Sequence, residues 1–219
     1  MTIVTIIDAD IGNLRSVQKA FERAGATTVI SGRAEDVAAA EALVLPGVGA
    51  FGDAMRKLNE LGLTEALRQE VGKRGKPLLG ICLGMQLLAR SSTEGGLFEG
   101  LRLIDAAVER MDVRERKDWA RKKLTLPHIG WNTAKARSDS QLFAGIAPKS
   151  DFYFVHSYAV KADREADVAA TCEYGDEFAA AIESGNILAT QFHPEKSHRD
   201  GYRLIENYLR ICSGARAAA

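Results

Sequence analysis

The chain has 219 residues, of which 46% are hydrophobic and 26% charged, with 29 basic side chains against 29 acidic ones. This balance leaves no net field to attract nucleic acid, and no apolar run reaches the length of a membrane span. No charged-then-apolar leader follows Met1, and the three cysteines lack metal-ligand spacing. We therefore expect a cytoplasmic protein with neither nucleic-acid nor membrane partners, one domain over residues 1–213, and a disordered tail over residues 214–219.

Strand and helix patterns alternate in the first half of the chain. Residues 2–8 are β-branched and almost continuously apolar, as a buried parallel strand should be, and the apolar residues of 14–24 then recur at helical spacing. Further strands are predicted over residues 27–30, 42–45 and 77–81, and helix over residues 53–75 with a break at 61–63. This alternation predicts an α/β fold with a mostly parallel, doubly wound sheet, helices on both faces, and ligands at the carboxyl ends of the strands.

The second half changes to patterns typical of antiparallel hairpins. Residues 152–160 and 169–173 are predicted as strands, and residues 178–183 and 187–192 as a hairpin around Gly185-Asn186. Ser197, with Asp200 three residues later, suggests a capping box at the start of the last helix. The basic run within residues 109–123 is predicted to be an exposed segment.

The most informative motif is Gly80-Ile81-Cys82-Leu83-Gly84, which lies between a predicted strand and the start of a predicted helix. Small residues on both sides of a cysteine permit a sharp strand-to-helix turn with the sulfur at its apex, the cysteine counterpart of the G-x-S-x-G nucleophile elbow. The partial positive charge of a helix N-terminus also favours a thiolate. Taken alone, the motif is equally compatible with an inert structural cysteine in a βα turn.

A second motif, His193-Pro194-Glu195, supplies partners for a nucleophilic cysteine. A histidine can accept the thiol proton, and a carboxylate behind it orients the ring and stabilises the imidazolium. We expect the proline to keep this segment extended, so that residues i and i+2 point the same way. A solvated loop would be the more common explanation of this segment alone, but with Cys82 it forms a candidate triad.

A third motif, Pro46-Gly47-Val48-Gly49, follows a predicted strand. A Gly-rich turn there can aim a backbone N–H at a developing oxyanion, and such a donor is typically worth about 2.7–4 kcal/mol. The second donor would be the N–H of Leu83, directly after the nucleophile. Turns of this composition are common, so this motif is weak evidence by itself.

Together these three motifs resemble the signatures of triad-type (class I) glutamine amidotransferases. Residues 12–17, 127–132 and 153–158 are further similar to the glutaminase subunits of imidazole glycerol phosphate synthase, and the resemblance runs from residue 2 to about residue 211. The chain departs from that family at Ala9-Asp10, where a Tyr-Gly pair is common, and in the detail of the basic run.

The resemblance implies the class I glutamine amidotransferase fold and hydrolysis of L-glutamine through a cysteinyl thioester, with no metal or organic cofactor. It implies a heterodimer in which the ammonia passes to a (βα)8-barrel cyclase subunit. The residues carried over are a catalytic triad of Cys82, His193 and Glu195, an oxyanion hole of Gly47, Val48, Gly49 and Leu83, glutamine contacts at Gln86, His156, Ser157 and Tyr158, and a partner interface at Asn13, Trp131, Asn132 and Lys196.

Alternatives remain at the level of residues and of function. Gln86 could be a helix-packing glutamine, His156 a hydrogen-bonded strand histidine, and Trp131 an ordinary core or surface aromatic. As a whole, the chain could serve a chorismate-using synthase, such as the anthranilate or aminodeoxychorismate system. It could also be a docking subunit that kept the fold and lost the chemistry.

Overall fold

A nine-stranded mixed sheet forms the centre of the computed structural model, which describes residues 2–113 and 123–214. Most of the basic run and the tail from residue 215 lie outside the described residues. In chain order the elements are β1 (Ile3–Ile7), α1 (Leu14–Arg23), β2 (Thr27–Ser31), α2 (Ala34–Ala39), β3 (Ala42–Gly47), α3 (Phe51–Glu60), α4 (Leu63–Leu67), a π-helical turn (Arg68–Lys73), β4 (Leu78–Cys82), α5 (Leu83–Leu87), β5 (Ser91–Ser92), β6 (Phe98–Glu99), β7 (Ala106–Arg110), β8 (His128–Ala136), β9 (Lys149–His156), β10 (Tyr158–Ala162), a 3₁₀ turn (Glu165–Asp167), β11 (Val168–Tyr174), β12 (Asp176–Ser184), β13 (Ile187–Thr190), a second 3₁₀ turn (Pro194–Lys196) and α6 (His198–Cys212).

The order of strands in the main sheet is β2-β1-β3-β4-β13-β12-β11-β8-β9. The pairs from β2 to β13 are parallel, and those from β13 to β9 are antiparallel. A second sheet has the order β10-β7-β5-β6. The fold prediction is therefore confirmed, including the hairpin around Gly185-Asn186, where Ser184 pairs with Ile187.

Helices cover both faces of the parallel part of the sheet. The alternation of side chains along β3 directs Val44 into one apolar core and Leu43 and Leu45 into the other. The first core is completed by α1 and α6, with Phe21 and Tyr208 fully buried in it, and the second by α2, α3 and α4. No helix in the described ranges has the length and apolar character needed to cross a membrane.

Two local predictions were wrong. Residues 152–160 form two strands rather than one, because the chain leaves the main sheet at Ser157 and continues as β10 in the second sheet. Ser197 is not the side-chain cap of α6. Its hydroxyl donates to the carbonyl oxygen of His193 at 2.6 Å and accepts from the N–H of Tyr153 at 3.0 Å, so it fixes the segment that carries the predicted triad histidine.

Candidate active site

Cys82 lies at a sharp turn between β4 and α5, as the elbow motif predicts. Its φ of 55° and ψ of −110° are rare for a residue with a side chain, and such a conformation costs on the order of 1–3 kcal/mol. Close packing holds the turn, because a Cβ added at Gly84 would lie 1.8 Å from the carbonyl oxygen of Leu45. Only glycine therefore permits α5 to begin so close to β3.

His193 and Glu195 form a buried pair beside this elbow. His193 Nδ1 lies 2.8 Å from Glu195 Oε1, and the two side chains are 4% and 3% exposed. The prediction that the segment is extended was wrong beyond His193, because Pro194–Lys196 form a 3₁₀ turn. That turn still brings the carboxylate to Nδ1. Within the described residues Nε2 has no hydrogen-bond partner, which leaves this nitrogen free for proton transfer.

The surroundings of His193 favour its protonated form. Burial lowers its pKa, but interactions with Cys82 and Glu195 outweigh burial and raise the pKa to about 9. The thiol contributes to this shift although the two side chains do not meet hydrogen-bond geometry. The arrangement places an imidazolium beside the sulfur of Cys82, as a histidine that serves a nucleophilic cysteine requires. By contrast, burial raises the pKa of Cys172 to about 12 and that of Cys212 to about 11, so these two thiols stay protonated.

A cleft of about 370 Å³ opens over Cys82, a size suited to one small amino acid. The following residues line it: Val48, Gly49, Leu83, Gln86, Glu94, Pro127, Val155, His156, Ser157 and Tyr158. The structure thus brings together every predicted glutamine contact and three of the four predicted oxyanion residues. The fourth, Gly47, is paired with Cys82 in the register of β3 and β4.

Two residues of the site were missed by the sequence analysis. Gln191 is fully buried, accepts from Gln86 Nε2 at 3.0 Å and donates to Cys82 Sγ at 3.8 Å. Glu94 lines the cleft, and its Oε2 accepts from the N–H of Phe51 at 2.8 Å. Gln191 stands two residues before the histidine motif and could have been suspected, whereas no local pattern marks Glu94.

Gln86 occupies a central place in the cleft wall. Its Nε2 donates to the carbonyl oxygen of Tyr158 at 2.9 Å as well as to Gln191 Oε1. Both amide hydrogens are therefore used within the protein. The amide orientation is fixed, and the oxygen of Gln86 is left to accept a hydrogen bond from a bound molecule.

The predicted oxyanion turn uses the N–H of Val48 within the protein. The N–H of Val48 donates to the carbonyl oxygen of Ile11 at 2.5 Å, and Gly49 has a φ of 102°. This N–H is therefore occupied by the loop after β1. Asp10, in the same loop, adopts the left-handed φ of 58°, which Asp tolerates better than most residues. Glycine would allow the same backbone conformation.

The four predicted interface residues differ in their surroundings. Trp131 and Lys196 are exposed and share a neighbour in Tyr153, whose ring lies 6.1 Å from the Trp131 ring and 5.8 Å from Lys196 Nζ. Asn132 uses its amide within the protein, donating to the carbonyl oxygen of Glu173 at 3.0 Å. Asn13 accepts from the N–H of Ser16 at 3.5 Å, as the cap of α1.

Comparison with known proteins identifies the family of this chain. A family model for glutamine amidotransferase class-I matches residues 5–212. The chain is 46% identical over 209 residues to imidazole glycerol phosphate synthase subunit HisH 1 of Campylobacter jejuni strain RM1221, across 95% of this chain and 100% of that protein. It is 47% identical over 214 residues to subunit HisH of Methanosarcina mazei, across 97% and 100%.

The chain therefore belongs to the class-I glutamine amidotransferase family, and within that family to the HisH subunits of imidazole glycerol phosphate synthase. A solved structure, PurLQS from Thermotoga maritima, shares the fold with a TM-score of 0.71 at 18% identity, across 96% of this chain and 99% of that one. At that identity the likeness is one of fold alone.

Proposed function

We propose that this chain is a cytoplasmic glutaminase subunit of imidazole glycerol phosphate synthase. It hydrolyses L-glutamine and delivers the ammonia to a (βα)8-barrel cyclase subunit, which forms imidazole glycerol phosphate and the aminoimidazole carboxamide ribonucleotide of histidine biosynthesis. The observation that carries this proposal is the Cys82 elbow, which opens into a cleft of glutamine size beside the buried His193–Glu195 pair.

In the proposed reaction, the Cys82 thiolate attacks the side-chain amide carbon of glutamine. The tetrahedral oxyanion is stabilised by the N–H of Leu83 and by the Gly47-Val48-Gly49 turn. The C–N bond breaks as protonated His193 donates its proton to the leaving nitrogen, which departs as ammonia. A thioester remains, and His193 then takes a proton from a water molecule that attacks it and releases glutamate. Glu195 orients His193 in both halves of the reaction.

The walls of the cleft supply groups for recognising the substrate. The Gln86 oxygen accepts no hydrogen bond from the part of the chain that the structure describes, and Glu94 adds a carboxylate to the same cleft. The α-ammonium of glutamine requires acceptors of this kind. His156, Ser157 and Tyr158 line the same cleft, and we propose that their backbone N–H groups bind the α-carboxylate.

We further propose that the partner controls the oxyanion turn. While Val48 donates to Ile11, its N–H is unavailable to an oxyanion, so the isolated chain should hydrolyse glutamine slowly. Docking of the cyclase with its nucleotide would release the turn, and Gly49 makes a peptide reorientation sterically inexpensive. Such control avoids wasteful hydrolysis, because free ammonia protonates and diffuses away.

Replacement of the nucleophile tests the proposal. Cys82→Ala and Cys82→Ser should abolish glutamate release, since loss of a nucleophile costs on the order of 10⁶ in kcat in triad hydrolases. Cys212→Ser, which changes a thiol outside the cleft, is the matched control and should stay near wild type. The assay is glutamate release in the presence of the cyclase and a nucleotide analogue, with circular dichroism to monitor the fold.

Three results would overturn the proposal. A folded Cys82→Ala variant that still releases glutamate at the wild-type rate would exclude the cysteine mechanism. A wild-type chain that is neither stimulated by the cyclase nor co-elutes with it would point instead to a chorismate-using synthase. A chain that binds the cyclase but never releases glutamate would be a docking subunit without chemistry.

A further inference from the structure

Behind the cleft lies a row of hydrogen-bonded side chains that the proposed mechanism does not use. Asn132 Nδ2 lies 3.2 Å from His128 Nε2, His128 Nδ1 lies 3.1 Å from His156 Nε2, and His156 Nδ1 lies 2.9 Å from the carbonyl oxygen of Tyr158. Both rings are buried, His128 at 3% and His156 at 6% exposure. Only His156 of these two rings lines the cleft.

The two ends of the row determine where its protons lie. The carbonyl of Tyr158 can only accept, so His156 carries its proton on Nδ1. Asn132 Nδ2 also donates to the carbonyl oxygen of Glu173, while Asn132 Oδ1 accepts from the N–H of Thr133 at 2.8 Å, so the amide cannot be flipped. His128 Nε2 therefore accepts, and His128 Nδ1 donates to His156.

A further proton on either ring would place two donors against each other in this row of hydrogen bonds. Protonated His156 would point an N–H at the N–H of His128, and protonated His128 would point one at the amide of Asn132. Burial in turn lowers the pKa of His128 to about 3 and that of His156 to about 4. Among the described residues, the titratable side chains that face this pair are the two rings themselves, His193 and Tyr174, whose ring stacks on His128 at 4.0 Å. Phe154 and Phe178 supply the other ring contacts.

The row continues to the nucleophile. The carbonyl oxygen of Tyr158 accepts from His156 and from Gln86 together, Gln86 also donates to Gln191, and Gln191 donates to Cys82 Sγ. Every donor from Asn132 to Cys82 thus has one permitted orientation. A change at His128 would reach the Gln86 amide through only two intermediate groups.

We propose that His128 is a positioning residue for glutamine, which acts from outside the cleft by holding His156 in its neutral Nδ1–H form. The carbonyl of Tyr158, and through it the amide of Gln86, are thereby kept in the orientation that binds the substrate. This inference rests on the proposed function for its substrate. It assigns His128 no contact with the reacting atoms.

Two nearly isosteric variants test the proposal in the complex with the cyclase. His128→Asn keeps a donor at the position of Nδ1, whereas His128→Leu lacks one and leaves His156 Nε2 unpaired. Leaving a buried polar group unpaired changes an equilibrium constant by about a factor of ten. His128→Leu should therefore raise the KM for glutamine about tenfold and leave kcat within about twofold of wild type. His128→Asn should stay within about twofold of wild type in both constants.

Nitrogen-15 chemical shifts of the imidazoles report the protonation and hydrogen bonding of each ring nitrogen. If His128 only filled space, its replacement would leave the shifts of His156 unchanged. The chain has four histidines to assign. His156 should show the Nδ1–H tautomer in all three proteins, because the carbonyl of Tyr158 can only accept. In His128→Leu its Nε2 resonance should move to that of a nitrogen without a hydrogen bond, whereas in His128→Asn it should stay near wild type. Equal KM values in the two variants, or an Nε2–H tautomer of His156 in wild type, would overturn the proposal. If His128→Leu does not fold, the wild-type tautomers decide. Absent turnover in the wild-type complex contradicts the proposed function instead.

Discussion

At the scale of single residues, the candidate site consists of groups that are strained or charged at a cost the surroundings must offset. Cys82 has a positive φ, and His193 is buried and yet favours its protonated form. Neither state would persist alone, since strain and burial both oppose it. The contacts of Cys82 with Gln191 and of His193 with Glu195, and the packing of Gly84 against β3, hold these two groups in place.

His193 and Glu195 should differ in what their loss does. His193→Asn removes proton transfer and should lower kcat nearly as much as loss of Cys82, on the order of 10⁶, whereas Glu195→Gln spoils only orientation and charge and should lower it by about 10⁴. Glu195→Gln should also lower the pKa of His193, because a hydrogen bond and a negative charge that raise it are lost. Steady-state kinetics and NMR titration measure both effects. An unchanged pKa in Glu195→Gln would contradict the assigned role.

At the scale of elements, adjacent parallel strands bring the parts of the site together. β3 ends at the predicted oxyanion turn, β4 ends at the nucleophile, and the segment after β13 carries His193. All three follow the carboxyl ends of neighbouring strands, where ligands of doubly wound sheets bind. At the junction of β4 and α5, Gly84 lies so close to β3 that an added Cβ would be 1.8 Å from the carbonyl oxygen of Leu45.

Gly84→Ala should therefore damage both stability and activity. The new Cβ would lie 1.8 Å from a backbone oxygen of β3, so a strand or the elbow must move, and we expect at least about 3 kcal/mol of destabilisation. Gly72→Ala is the matched control. Its Cβ would meet only the side chain of Leu103, and it should change stability by no more than about 1 kcal/mol. Denaturant unfolding compares the two, and equal effects would refute the packing argument.

At the scale of the whole molecule, charges and surfaces decide how the protein responds to pH and to a partner. The buried neutral histidines make the free energy of unfolding depend on pH below neutrality, and the buried protonated histidine makes it depend on pH above neutrality. The exposed aromatic Trp131 stacks on His198 at 4.8 Å beside the segment that holds His193. A partner bound there would contact the start of α6, five residues after His193.

Stability should have a maximum near neutral pH. The unfolded chain protonates His128 and His156 near pH 6.5, and their folded pKa values are about 3 and about 4, so unfolding becomes easier as the pH falls below 6.5. His193 has a raised pKa, so its contribution is complete below about 6.5 and is lost as the pH rises through about 9. Unfolding free energies across this range test both. In His128→Asn the acid slope should become smaller, and an unchanged slope would contradict the assignment.

Docking should depend on Trp131. Trp131→Ala should weaken binding of the cyclase about tenfold or more, since tryptophans at interface centres often contribute about 2 kcal/mol. Ile3→Ala is the control, because Ile3 is also exposed. It lies at the amino end of β1, whereas Cys82 lies at the carboxyl end of β4, which runs in the same direction. Titration calorimetry with the cyclase compares them. Equal binding by both variants would remove Trp131 from the interface.

Sequence could predict those parts of the site that are local. The elbow and the histidine motif each place their chemistry within five residues, and apolar alternation gives the strands that carry them. It could not predict the role of Glu94, the bond between Val48 and Ile11, or the pairing of His128 with His156. Each of these joins segments that meet only through the order of strands. The prediction of one strand over residues 152–160 was wrong for a similar reason. A strand pattern does not show that the chain passes from one sheet to the other at Ser157.

The hydrogen bond between Val48 and Ile11 separates two properties of Cys82, namely its reactivity towards alkylating agents and its activity on glutamine. Alkylation of a sulfur creates no oxyanion, so a small haloacetamide needs the thiolate and room in the cleft but not the N–H that Ile11 occupies. The free chain should therefore be alkylated at Cys82 at a rate that does not depend on the state of the Val48 N–H, whereas its hydrolysis of glutamine should depend on it. Alkylation would then inactivate the subunit before it meets its partner.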